Sequence, residues 1–549
     1  MVSVNPVVNK SDRIKFLGTS TQAWYGSLSS VAFDEAGIKA KLLNLAQPCY
    51  VVRSNNQIGV TNEGYTYTAD NGNRQAELLA ATPPLSTKQL GDASFLDFHQ
   101  VKYAYATGAM AHGIASEELA IALGKAKILS SFGAGGLSPA RVESAINRIQ
   151  QALPHGPYAF NLLHSPSEPA IERRAVDLYL KYGVTTVEAS AFLDLTPNVV
   201  YYRAAGLGLD SHNQITIKNK LIVKLSRKEI AIKFLQPAPT KILKELVAQN
   251  LITELQATLA EKIPVADDIT VEADSGGHTD NRPLVCLLPS ILELRDEIQE
   301  KYHYQQPVRV GVAGGISTPQ SALAAFMMGA AYVVTGSINQ SCVEAGTSQH
   351  TKELLAQAEM PDVMMAPAAD MFEMGVKLQV LKRGTLFPVR AQKLYELYKN
   401  YDSIDDIPAV ERDKLEKQIF RRSLDAVWED TVAYVSTRNP DKVRKAANNP
   451  KLKMSLIFRW YLGLSSRWSN SGEKGREIDY QIWCGPAMGS FNDWVKGSYL
   501  SEPSNRKVVD IADHIMLGAA YLYRVQNLKL SGLQLPISFS QYRPMLRNV

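Results

Sequence analysis

The chain has 549 residues, 45% of them hydrophobic and 21% charged, an ordinary globular composition with ample material for a large core. Fifty-nine basic residues against 54 acidic ones leave a net charge of +5, too mild at this length to argue for a nucleic-acid partner. No run of about 18 apolar residues occurs, so neither a membrane-spanning helix nor a membrane partner is expected. Four cysteines (Cys49, Cys286, Cys342 and Cys484) are widely spaced with no CxxC, which points away from a disulfide framework or zinc site and towards a reduced, cytoplasmic setting. The opening MVSVNPVVNKSDRIKF lacks the apolar segment of a signal peptide, in line with that expectation.

Residues 1–95 read as an N-terminal extension, with a strand-like run at 46–53 and loop-like sequence over 64–90. From 96 to 345 a strand–helix rhythm takes over. Short apolar runs at 101–107, 128–131, 158–162, 185–189, 221–225, 269–273, 308–312 and 332–335 make eight candidate strands, with helix-like stretches such as 116–126, 139–152 and 168–181 between them. Ser138 and Pro139 form a helix start signal. The pattern predicts an α/β fold of the TIM (β/α)8 barrel class. An open doubly wound sheet is the rival, disfavoured because the phosphate-type turns come last rather than first. The widest gap, about 226–268, is a helix-rich insertion and a candidate extra lid. Residues 346–549 read as a mainly helical substrate-capping domain, with helices expected at 372–382, 388–399, 410–422, 455–465 and 508–525. Five of the six tryptophans fall there, predicting an aromatic core.

The last two strands carry the strongest signal. Each ends in glycine where a helix begins, at Gly314–Gly315 and at Gly336. Backbone amides there can approach an anion closely, and helix N-termini favour negative charge. Two such turns are how a TIM barrel holds a phosphate.

Functional residues of a barrel sit at the carboxyl ends of its strands. Strand one ends in Thr107-Gly-Ala-Met-Ala-His-Gly113, small enough for backbone to pass close to a flat ring; a plain tight turn reads equally from these residues. Strand two ends in a glycine-rich run at 130–136. Asn161 ends strand three and can donate to and accept from a ring's polar edge, or simply cap a turn. Glu188 in an apolar strand needs a partner or a role, and Lys224 can neutralise charge at the mouth or extend to solvent. Strand six ends in Glu272-Ala-Asp-Ser-Gly-Gly-His-Thr-Asp-Asn-Arg-Pro283, which places His278 at the mouth. Without a second nearby histidine, Glu272 and Asp274 make a poor transition-metal pair, and no metal is expected.

Four segments resemble the PfaD family: 274–283, 336–346, Ala366-Pro-Ala-Ala-Asp-Met-Phe-Glu-Met-Gly-Val376 and Tyr480-Gln-Ile-Trp-Cys-Gly-Pro-Ala-Met-Gly489. These are FMN-dependent enoyl reductases that act in trans in bacterial polyunsaturated fatty acid synthases and related polyketide synthases. The likeness runs from about 95 to 530, and the fatty-acid branch looks closer because no acyltransferase region accompanies the chain. The core also resembles the wider nitronate monooxygenase group, whose Ala-Gly-Gly-His turn is matched by Ser275-Gly276-Gly277-His278.

The resemblance implies a TIM barrel with FMN at its mouth and NADPH as electron donor. Gly108, Ala109 and Met110 would touch the flavin, and Asn161 the ring or ribityl chain. Lys224 would approach the ring. Gly314, Gly315, Gly336 and Ser337 would hold the phosphate. Gly276 and Gly277 would border the cofactor and offer amides beside a substrate faced by His278. Hydride would reach the β-carbon of a 2-enoyl group on an acyl carrier protein. His278 is the first candidate to protonate the α-carbon, with Asp280 behind it. Lys377, Lys382, Arg383, Arg390 and Lys393 are a candidate docking patch for that acidic carrier. Other synthase subunits and a second copy of the chain, as a homodimer, are the remaining expected partners. The alternatives are a nitronate monooxygenase-like flavin oxidase, a non-catalytic synthase scaffold, and a phosphate-binding barrel without flavin.

Overall fold

All eight apolar runs become parallel strands: Tyr105–Thr107, Leu129–Phe132, Ala159–Leu163, Thr186–Ser190, Lys220–Leu225, Asp268–Glu272, Arg309–Ala313 and Val333–Thr335. In this computed structural model they close into one barrel in chain order, the last strand pairing with the first through Val333 and Tyr105. The structure describes residues 14–18, 22–67, 75–166, 168–437 and 439–546. The leader reading at residues 1–13 falls outside them. Both faces of the strands are buried, which is why they read as continuous apolar runs rather than alternating ones. Helices follow each strand where capping signals stand; Ser138, for example, accepts from the Arg141 amide at 3.3 Å, with Pro139 in the first helical turn.

The amino end of the barrel is locked by charge. Asp268 accepts two bonds from Arg309, at 2.6 and 3.0 Å, and lies 2.8 Å from His99 Nε2. Arg203 and Asp267 form a second buried pair, with both bonds at 2.8 Å. Each charge is matched and hydrogen-bonded, as burial demands.

The N-terminal region is more ordered than its sequence suggests. Gln57–Thr61, Cys49–Ser54, Ala76–Thr82, Ala23–Tyr25 and Tyr65–Tyr67 form a five-stranded antiparallel sheet in that order, around a fully buried Trp24. The loop reading of 64–90 is therefore corrected at Tyr65–Tyr67 and Ala76–Thr82 and holds over 83–90, a loop with one 3-10 turn; 68–74 lie outside the described residues. Ala76–Thr82 has few β-branched residues, and burial against its neighbours makes it a strand.

The insertion at 226–268 holds three helices, Lys228–Leu235, Thr240–Ala248 and Glu254–Ala260. They pack on helices Leu284–Tyr302 and Pro197–Ala205 and on the hairpin Leu207–Leu209/Ile215–Ile217, which feeds the amino end of strand five. Through these contacts the insertion thickens the outer wall.

The boundary expected at 345/346 also shifts. Helix Val508–Leu530 returns to the barrel wall, packing on helices Pro319–Met327 and Glu117–Lys125. It fills the eighth helical position, so the segment from 341 to 507 is an excursion between strand eight and its helix. Its buried Arg524 donates to carbonyls of Leu42, Asn44, Leu45, Gln47 and Pro83, tying the N-terminal region to the barrel.

The excursion has its own aromatic core, including Phe372, Phe387, Phe458 and Tyr461, with Trp428, Trp460, Trp468 and Trp483 packed against it; Trp494 joins the barrel's core instead. It is not wholly helical. The helix expected at 372–382 is a short 3-10 turn, Phe372–Met374, followed by strand Lys377–Leu381. Gly375 at φ +70° breaks the helix between them. That strand lies between Val363–Pro367 and the two-residue strand Gly277–His278.

Candidate active site

At the carboxyl rim, strands four, five and six project Glu188, Lys224 and Glu272 towards one another. Lys224 Nζ is 3.1 Å from Glu272 Oε1 and 3.9 Å from Glu188 Oε1. Burial works against the ammonium charge, but Glu272 and Glu188 outweigh it and hold Lys224 above its usual value. Burial pushes the Glu188 carboxyl up, with Lys224 and the Ala109 amide partly offsetting it. That amide donates to Glu188 Oε1 at 3.1 Å, so the first loop and the charged trio are one unit.

The first loop is a backbone floor. A side chain at Gly108 would reach within 3.9 Å of Lys224 Nζ, and one at Gly133 would strike the Met110 carbonyl at 1.7 Å. Asn161 spends its amide hydrogens on Glu188 O at 3.1 Å and Ser190 Oγ at 3.0 Å. Its Oδ1 therefore presents an acceptor only, which narrows the donor-and-acceptor expectation.

The two glycine turns divide their tasks. Gly314, at φ +84°, makes the turn, and a Cβ there would lie 2.6 Å from the Ala273 backbone. Gly315, at φ +74°, and Gly336 face open space, where a Cβ would meet nothing within 4 Å. Ser337 Oγ accepts from Gly485 N at 3.1 Å, which leaves its hydroxyl hydrogen to donate. Ser317 Oγ, two residues past Gly315, is buried with no hydrogen-bond partner among the described residues. Open glycine backbone beside an unsatisfied buried hydroxyl suits a phosphate oxygen, so these residues fit the tail of FMN.

His278 stands beyond the end of strand six, its side chain 43% exposed and its Nε2 3.1 Å from Asp370 Oδ1. Burial opposes its charge, yet Asp370 and then Glu272 hold the imidazole above its ordinary value. Gly276 is packed by the excursion, since a Cβ there would lie 2.8 Å from Cys484 N; the face of Gly277 is covered by Trp483 at 3.9 Å. The side of each glycine that a Cβ would occupy therefore faces the excursion. The reading of Asp280 is corrected. It accepts from Ser226 at 2.6 Å and from both arms of Arg227 at 2.9 Å, and the Arg227 bond holds its carboxyl down at about 2. Ionised across the neutral range, it anchors two loops and has no proton to give.

The family model for nitronate monooxygenase matches residues 93–420, and that for the N-terminal domain of the fatty acid synthase component PfaD matches 24–84. The crystal structure of the enoyl reductase domain of MlnA, from the macrolactin biosynthesis cluster of Bacillus amyloliquefaciens, aligns at 40% identity and a TM-score of 0.77, covering 80% of this chain and 99% of that one. The chain belongs to the PfaD-type enoyl reductase family.

One polyunsaturated fatty acid synthase subunit of Thraustochytrium sp. is 50% identical over 511 residues, which is 92% of this PfaD-type chain and 34% of that protein. Polyketide biosynthesis protein PksE of Bacillus subtilis is 47% identical over 439 residues, 80% of this chain and 57% of that one. The chain thus spans about a third to just over half of the length of these relatives. Within the excursion, residues 401–480 match the inserted helical domain of an [acyl-carrier-protein] S-malonyltransferase.

Three site residues of this PfaD-type protein escaped the sequence reading. Asp370 lies inside a segment that carries the family resemblance, but only the fold brings it to His278 across 92 residues. Trp483 and His112 meet at the seam of barrel and excursion, with ring centroids 5.3 Å apart. Burial, aided by Arg467, pushes the His112 imidazole down to about 4, so it stays neutral. His112 at φ +58° offered no residue-type signal beyond its glycine-rich surroundings. The expected basic patch is largely neutralised: Arg390 is paired with buried Asp479, Arg383 with Asp362 at 3.1 Å and Lys393 with Glu411 at 3.0 Å. Among the described residues no helix is long and apolar enough to cross a membrane.

Proposed function

We propose that this protein reduces the 2,3 double bond of an enoyl thioester carried by an acyl carrier protein, within polyunsaturated fatty acid or polyketide assembly. FMN is its resident cofactor, NADPH its electron donor, and carrier domains and other synthase subunits its partners. The observation that carries this reading is the match to the MlnA enoyl reductase domain over 99% of that domain's length. The rim geometry described above supports it.

When bound, FMN supplies the hydride transfer that side chains cannot perform. The protein's own residues do the rest. Gly315, Gly336, Ser337 and Ser317 hold the phosphate. Gly108, Ala109 and Met110 offer their backbone as a floor for the ring. Lys224, kept cationic by Glu272 and Glu188, offsets negative charge gathering beside it. His278 faces the substrate and delivers a proton to the α-carbon. The excursion supplies Asp370 to His278 and leaves the imidazole open to solvent, from which it can be reprotonated.

The test is NADPH oxidation in the presence of a crotonyl-loaded carrier protein, with the product identified by mass spectrometry. A butyryl carrier formed in step with NADPH consumption is expected. Oxygen uptake with a nitronate and no nicotinamide requirement, or a colourless protein that turns over neither substrate, would overturn the proposal.

A further inference from the structure

His278 belongs to the barrel by sequence and to the excursion by hydrogen bonding. The strand Gly277–His278 is antiparallel to Lys377–Leu381, with Gly277 opposite Gln379 and His278 opposite Leu378. Gln379 Nε2 adds side-chain bonds to Ser275 O and Asp274 Oδ1, each 2.8 Å. The backbone of Cys484 seals Gly276 from behind. The backbone that carries the imidazole is thus held by the excursion.

On the connection between the two excursion strands lies Asp370. Its Oδ1 accepts from Met371 N at 3.1 Å and stands 3.1 Å from His278 Nε2. Nδ1 of His278 has no hydrogen-bond partner among the described residues. An imidazolium held at one nitrogen by a carboxylate has its orientation and its other N–H set by that contact.

We infer that Asp370 is a positioning residue for enoyl reduction, supplied by the inserted segment: it binds His278 Nε2–H and turns Nδ1–H towards the substrate as the proton donor. This rests on the enoyl reductase reading. After hydride has reached the β-carbon, the electron pair of the resulting enolate forms a C–H bond at the α-carbon while the Nδ1–H bond breaks. The thioester carbonyl is restored and neutral imidazole remains, with Nε2–H still on Asp370. Solvent returns the proton before the next turnover. Asp370 and Glu272 are the charged groups that face the imidazole, and both favour its protonated form. The proton donor is therefore complete only when the excursion is docked on the barrel.

The experiment uses the full chain with Asp370→Asn, Asp370→Glu and, as a reference, His278→Gln. In the substrate-free protein, Asp370→Asn should move the His278 imidazole titration to lower pH by nuclear magnetic resonance, with His278→Gln assigning the signal. In turnover, Asp370→Asn should lower kcat at pH 8 by about tenfold, shift the alkaline limb of the kcat profile downward and leave KM within about twofold. Asp370→Glu should restore most of both. An unmoved imidazole titration, or an unmoved kcat profile, overturns the inference. If the wild type reduces no enoyl thioester while the titration still shifts, the parent reading has failed and the positioning role falls with it, leaving a structural pair.

Discussion

Lys224→Met removes the cation that lies between Glu188 and Glu272; the three side chains are only 13%, 6% and 24% exposed. At an effective dielectric of about 20, unit charges at the observed separations of 3.1 and 3.9 Å attract by about 5 and about 4 kcal/mol respectively. Desolvation consumes much of that. Leaving a buried charge without its partner nevertheless costs about 3–5 kcal/mol. The loss depends on pH with a definite sign. Glu188 already titrates above its ordinary value in the fold, and without Lys224 it would rise further. A raised carboxyl stabilises the fold while it keeps its proton and ceases to do so as pH climbs through its folded pKa. The variant should therefore unfold at nearly the wild-type urea midpoint near pH 5 and well below it at pH 8. Lys224→Met with Glu188→Gln should recover at least about 1 kcal/mol of the loss at pH 8, as a double-mutant cycle reads it. Equal midpoints at both pH values, or no recovery in the double variant, would refute the coupling.

At the other end of the barrel, burial raises the Asp268 carboxyl but Arg309 and His99 more than reverse this, leaving it at about 2 against an ordinary 3.8. Its contribution is whole above the ordinary value and lost as pH falls towards 2, so Asp268→Asn should lower the urea midpoint strongly at pH 7 and less below about pH 4. A gap that stays constant with pH would contradict the ion-pair account. Gly315→Ala places a Cβ in open space at φ +74°. The strain should be about 1–2 kcal/mol, the protein should stay folded, and flavin content after gel filtration should drop; full flavin retention would remove Gly315 from the phosphate site. Gly276→Ala forces a Cβ to within 2.8–3.0 Å of three Cys484 backbone atoms and displaces His278. Enoyl reduction should fall by about 100-fold with flavin retained, and a wild-type rate would show that the packing of this turn does not place the donor.

The barrel was legible because its strands are buried on both faces and its helices begin at strong caps, signals that need no partner to be read. The glycine turns were legible for the same local reason, although the division of labour between Gly314 and Gly315 depends on Ala273 backbone that only the fold supplies. What failed were readings that depended on distant partners. Asp280 looked like an acid until Arg227 was found beside it. Residues 377–381 looked helical until two neighbouring strands fixed them in a sheet. Nothing local tells a reader that helix Val508–Leu530 completes a wall begun by Glu117–Lys125, or that Asp370 reaches His278.

Two half-reactions followed in one cuvette address the central claim most directly. Under anaerobic conditions NADPH should bleach the yellow absorbance of the purified protein, and an added crotonyl-loaded carrier should bring it back at one butyryl group per flavin. Colour that NADPH cannot bleach, or that returns only when air is admitted, would contradict the account.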